Sequence, residues 1–124
     1  MSASTSPAEL VLGTAGLAAA TGEAAANQAR AVLKAALSAG IRWFEIAPAS
    51  PQVETLAGQA FRGDRRARLM ARLDTGALAA PARGPVEAMI AAMTRRLSVT
   101  CIDTLVLDSP AAITAHDGRL WRTL

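Results

Sequence analysis

Four kinds of side chain in this sequence could do chemistry, and their spacing limits each. "RWFEIAPAS", residues 42–50, sets one acid, Glu45, among apolar neighbours and runs into a Ser-Pro pair. A carboxylate at the end of an apolar run is a candidate general acid or base, or one half of an ion pair. Cys101 is the sole cysteine and His116 the sole histidine, 15 residues apart. One thiol and one imidazole exclude a disulfide framework and a zinc site. Cys101 lies in an apolar run and is expected to be a buried, reduced thiol. His116 matches no catalytic spacing and reads as a surface or capping residue.

The remaining candidate is basic. Arg62, Arg65, Arg66 and Arg68 cluster, and the net charge is +3. Arginines in a loop can touch phosphates. No aromatic residue interleaves these four, and no nucleic-acid-binding signature surrounds them. They are expected to form a solvated loop, Arg62-Gly63-Asp64 included, and no nucleic-acid partner is expected.

The elements that must position these residues follow from periodicity. Residues 10–15 read as a short buried strand. Residues 24–39 read as a helix with Ala29, Val32, Leu33, Ala36 and Leu37 on one stripe, and Gly40 as its cap. A second strand is expected at 41–46. Ser50-Pro51 then opens a second helix: the serine hydroxyl would accept from a free first-turn amide, and proline suits the first helical position. Val53, Leu56, Ala57, Ala60 and Phe61 form its stripe, and Gly63 closes it.

A third strand is expected at 68–73 and a loop over 76–84. A third helix starts near Pro85, with Val86, Met89, Ile90, Met93 and Leu97 inward; the methionines there are packing residues. A fourth strand is expected at 101–107, with a fourth helix from Asp117.

Four β-α units with strands apolar on both faces imply one α/β domain over residues 1–124 with a parallel sheet. At 124 residues and 52% hydrophobic, the chain can bury a core but is short for a complete barrel. Periodicity allows either a small doubly wound domain or half of an eight-unit barrel. The apolar stretch from Leu10 to Ala20 follows no Lys or Arg, which argues against a signal peptide. No run reaches the ~20 apolar residues of a membrane span, so the expected location is the cytoplasm.

Particular stretches favour the barrel. "LVLGTAGLA", "AVLKAALSAGIRWFEIAPAS" and "VETLAGQAFRG" resemble the amino-terminal region of aldo/keto reductases, a family with a Gly-Thr strand, an Ala-Gly-Ile-Arg-type turn, a strand of the type Phe-Asp-Thr-Ala-Pro-Ala-Tyr-Gly, and a helix with Glu-x-x-x-Gly. Here that last motif is Glu54 to Gly58. "TRRLSVTCIDTLVLDSP", residues 94–110, resembles the family's Arg-Arg-Leu-Gly-x-x-x-Ile-Asp-Leu-x-x-x-His, and "DGRLW" the start of its fourth helix. The resemblance implies a partial (β/α)8 TIM barrel of about four units.

It also implies NADP(H)-dependent carbonyl reduction by a Tyr acid, a Lys and an Asp that tune it, and a His. Carried across, the Asp falls on Glu45, the Tyr on Ser50, the His on Asp108, and the Lys on Arg72, or on Leu73 if the strand shifts by one. All four catalytic positions are substituted. Serine is a poor replacement for an activated phenol. Arginine stays charged where lysine shares protons. Asp108 would set negative charge beside a forming oxyanion.

The expectation is therefore a Glu45–Arg72 ion pair in a truncated or degenerate, inactive family member. A carboxylate chemistry using Glu45 and Asp108 is the lesser reading. Gly13 and Thr14 fall at the family's nicotinamide contact. The phosphate-binding loops of such barrels come late, so NADP binding is expected to be weak or absent. The alternative is an interaction module, its half barrel completed by self-association or by a complementary half.

Overall fold

Alternation in four short strands builds a sheet with two unlike faces. A computed structural model describes residues 9–47, 50–73 and 83–123. Its elements are β1 (Val11–Gly13), α1 (Gly22–Ser38), β2 (Trp43–Ile46), α2 (Pro51–Ala60), β3 (Arg68–Leu73), α3 (Arg83–Leu97), β4 (Thr104–Leu107) and α4 (Ala111–Thr123), with a 3-10 turn at Ala15–Ala19. The strands are parallel in the order β1-β2-β3-β4.

The register divides the side chains. Leu12, Phe44 and Leu69 stand in one row, and Ile46, Ala71 and Leu105 in the next. Phe44, Ile46, Leu69, Ala71 and Leu73 share one buried core with Leu33 and Leu37 of α1, Ala57 and Ala60 of α2, and Met93 and Leu97 of α3. Those three helices therefore cover the same face, the layering of a barrel wall rather than of a doubly wound sheet. Each fully buried Leu or Phe in this layer contributes about 1.5–3 kcal/mol. Phe44 and Phe61 meet at 4.5 Å between ring centroids, tilted by 49°.

The other face carries Val11, Gly13, Trp43, Glu45, Arg68, Met70, Arg72, Thr104 and Val106, by the same register. No described helix covers it. The Arg68 guanidinium lies 5.7 Å from the Trp43 ring centroid.

Helix ends follow local chemistry. Gly40 has φ 106°, and the Ile41 amide donates to the Ala36 carbonyl at 3.0 Å, closing α1 in a left-handed cap. The same bonds close α3, from Val99 to Thr94 and from Ser98 to Arg95, but there the left-handed residue is Ser98, φ 55°. Gly58 marks a close helix contact. A Cβ on it would lie 2.5 Å from the Arg96 carbonyl oxygen, so α2 meets the end of α3 backbone to backbone.

Several expectations are corrected. Strand β4 begins at Thr104, not residue 101, because 98–103 is a loop; Cys101 is consequently exposed rather than buried. Strands β1 and β2 are also shorter than expected. Val32 is 47% exposed and outside the core, because among the described residues α1 has a neighbouring helix on one flank only. Helix α4 begins at Ala111, not Asp117, since the Ser109 hydroxyl accepts from the Ala111 amide at 3.1 Å. Ser50 precedes α2, but its side chain makes no capping bond. Most of the 76–84 loop and the His116 side chain lie outside the described residues.

Candidate functional site

A parallel sheet delivers all its carboxyl-terminal strand ends to one edge, where α/β proteins build their sites. Glu45 is the penultimate residue of β2 and Arg72 that of β3. Glu45 is level with Met70 in the register, so Arg72 is two residues further along on the same face. That stagger brings Arg72 Nη2 to 2.8 Å from Glu45 Oε1. Leu73 points to the helix side and is fully buried. Arg72, not Leu73, is thus the β3 residue beside Glu45.

The ion pair is half open, with 31% of the Glu45 side chain and 40% of the Arg72 side chain exposed. Arg72 Nε is buried without a hydrogen-bond partner. A guanidinium can donate but has no proton to give up near neutral pH. The Glu45 carboxylate is engaged as the counter-ion of that guanidinium.

Thr14 lies just beyond β1 and is 1% exposed. Its hydroxyl donates to the Glu45 carbonyl at 2.9 Å and accepts from the Ala47 amide at 3.1 Å. The Thr14 amide also donates to the Glu45 carbonyl, at 3.0 Å. Thr14 is thus a clamp between β1 and the end of β2, closed off from a ligand. Gly13 is exposed, and nothing lies within 4 Å of where its Cβ would be, so its backbone alone is approachable. At this edge Gly13 leaves its backbone approachable, while the Thr14 hydroxyl and the Glu45 carboxylate are already engaged.

Ser50 is half-buried ahead of α2, with its carbonyl accepting from the Glu54 amide at 3.1 Å. Asp108 is exposed just past β4. Among the described residues, no group of three or more His, Cys, Asp or Glu could hold a metal ion. No described helix is long and apolar enough to cross a membrane.

Two charged residues outside the expected site prove structural. Glu54, 2% exposed, receives a hydrogen bond from Arg96 Nε of α3. Asp103 Oδ2 accepts from the Leu69 amide at 2.8 Å, and the Asp103 amide donates to the Leu69 carbonyl at 3.1 Å, which fixes the start of β4 against β3. Each lies in a stretch that carries the family resemblance, Glu54-x-x-x-Gly58 and Ile102-Asp103. A carboxylate beside Val53 in a buried stripe was the available signal for Glu54.

Arg62, Arg65 and Arg66 lie in a turn, as expected of the cluster, but Arg68 does not: it opens β3. The Asp64 carboxylate accepts from the Arg66 amide at 3.0 Å and pairs with the Arg66 guanidinium at 2.7 Å. Those hydrogen bonds, the guanidinium's first, hold the Asp64 carboxyl down to about 2.

The sequence model of the Aldo/keto reductase family matches residues 9–122 of the 124. Comparison with curated proteins gives no match.

Proposed function

Since the chain belongs to the aldo/keto reductase family, we propose that it is a degenerate member, keeping the wall of the family's TIM barrel without its carbonyl reduction. The observation that carries this reading is the Glu45–Arg72 ion pair. A reductase must hand a proton to the oxygen that becomes an alkoxide. The guanidinium cannot release one, Glu45 is held as its counter-ion, and Ser50 lacks the acidity of a phenol.

The family generally uses NADP(H). Gly13 and Thr14 offer this chain one approachable backbone position and a hydroxyl already bonded to β2. A ligand gripped at one end still loses most of its translational and rotational freedom, a cost of about 4–15 kcal/mol. Any NADPH affinity is therefore weaker than about 1 mM, or about 4 kcal/mol. Calorimetric titration tests this: no saturation in the micromolar range is expected, and micromolar saturation would refute it.

A second reading is an interaction module. It is favoured by the uncovered face that carries Trp43, Met70 and Val106, and by β1 and β4 as edges of the described sheet. Unpaired edges and an open face invite another chain.

A further inference from the structure

In a parallel sheet every helix-to-strand connection arrives at one end, opposite the edge that holds Glu45 and Arg72. The connections into β2, β3 and β4 bring six exposed arginines there: Arg42, then Arg62, Arg65, Arg66 and Arg68, then Arg95 in the last turn of α3. Two acids stand against them, Asp64 and Asp103. The rest of the chain carries seven basic and eight acidic residues. The positive excess of the whole chain is thus gathered in these three connections.

Both acids are already engaged. Asp64 takes the Arg66 guanidinium through both carboxylate oxygens, at 3.0 and 2.7 Å. Asp103 accepts from the Leu69 amide at 2.8 Å, with Arg68 at 3.9 Å. Arg42 donates to the Leu37 carbonyl at 2.9 Å, which leaves its charge without an acid. Its own carbonyl accepts from the Arg68 amide at 2.7 Å, so it adjoins the turn before β3. Arg62, Arg65 and Arg95 make no hydrogen bond or ion pair among the described residues. Beside Arg65 the surface is concave: a cleft of about 500 Å³ lies between the 62–67 turn and the 98–103 loop, lined also by Ser98 and Thr100.

We infer that this end of the sheet binds the phosphodiester backbone of a nucleic-acid duplex, without regard to sequence. Guanidiniums without acids on three connections suit a row of phosphates rather than one. Hydroxyls beside a cleft are the other usual donors to such a backbone. None of the large apolar side chains exposed among the described residues lies in these connections, so nothing there would enter a lipid surface. Residues 39–42, 62–67 and 98–103 hold no aromatic residue, hence no platform for unstacked bases, which favours a duplex. In the sequence four of these arginines form one cluster; Arg42 and Arg95 join them only through the fold. The inference goes beyond the interaction-module reading, whose surface is the sheet face, and stands or falls separately from it.

Fluorescence anisotropy of a labelled DNA duplex of mixed sequence, titrated with the full chain at several salt concentrations, is the test. A Kd of about 10 μM or tighter is expected at low salt, with log K falling against log salt at a slope of about −3.6, from four contacts at about −0.9 each. Arg62→Gln combined with Arg65→Gln is expected to weaken binding at least about tenfold and to bring the slope to about −1.8. Lys34→Gln, which removes an exposed charge from α1, is expected to change affinity less than about twofold. All three positions are exposed, so folding, checked by circular dichroism, should be unaffected. Absence of binding at low salt overturns the inference, as does binding that the double substitution leaves unchanged or that Lys34→Gln weakens equally. Capture by phosphatidylserine vesicles without duplex binding also overturns it, and would assign the arginines to a lipid surface.

Discussion

The Glu54 carboxylate of α2 is sealed from water by the Arg96 side chain of α3, with 2% of Glu54 exposed and 36% of Arg96. The seal depends on Gly58, one turn along α2, which lets the helices touch at the Arg96 carbonyl. Removing the arginine leaves a buried carboxylate without its counter-ion. Arg96→Ala is therefore expected to destabilise the fold by about 2–3 kcal/mol, somewhat under the roughly 3–5 kcal/mol of a fully buried broken pair because Arg96 is partly solvated. The double variant Glu54→Leu with Arg96→Met should recover most of that loss. Urea denaturation reads both; an unchanged midpoint in Arg96→Ala would show that the pair does not hold the helices together.

Ser98 occupies the left-handed position that closes α3, φ 55°, where the resembling family stretch has glycine. A Cβ in that conformation costs about 1–2 kcal/mol, part of which glycine returns as unfolded-state entropy. Ser98→Gly is expected to stabilise the chain by about 1 kcal/mol, raising the thermal midpoint by about 4 °C. Thermal melting by circular dichroism checks this, and a lowered midpoint would mean the hydroxyl has a stabilising role of its own.

The sheet order and the helix layer were legible because period-two and period-3.6 patterns report which side of an element is buried. Leu33, Leu37, Val53, Met93 and Leu97 all face the core as their spacing predicts. Val32 does not, since a stripe records an apolar face but not which neighbour is present to cover it. The Ser-Pro signal read at residue 50 recurs at Ser109-Pro110, and the second instance makes the capping bond while the first does not. The dipeptide marks a helix start; the serine rotamer decides the bond.

Within the site, the Glu45–Arg72 pairing was legible from the resemblance and charge balance. The clamp made by Thr14 was not, because a hydroxyl's partners 31 and 33 residues away leave no local trace. Glu54 with Arg96 was hidden for the same reason.

Asp64 gives a prediction in pH. Its carboxyl is held at about 2 in the folded chain, chiefly by the Arg66 side chain and amide, against an ordinary value of 3.8. A lowered folded-state value means that the Asp64 contribution to stability is present above the ordinary value and lost as pH falls through about 2. The side chain lies at the surface, 28% exposed, so the readout is the titration itself. Carboxyl-carbon NMR should show a midpoint near 2 that moves up toward about 3.9 in Arg66→Ala. A midpoint unmoved by that substitution would contradict the assignment.

Carbonyl reduction by the purified chain is the most direct test of the whole reading. With NADPH and generic aldehydes, the absorbance of the reduced nucleotide is expected to fall no faster than in buffer, because Glu45, Ser50, Arg72 and Asp108 include no tuned proton donor. Ser50→Tyr alone should not restore turnover, since Arg72 would still hold Glu45 as its counter-ion and could not tune the new phenol. Turnover above buffer that disappears in Glu45→Gln or Asp108→Asn would contradict the account, and would show a working carboxylate where an ion pair has been described.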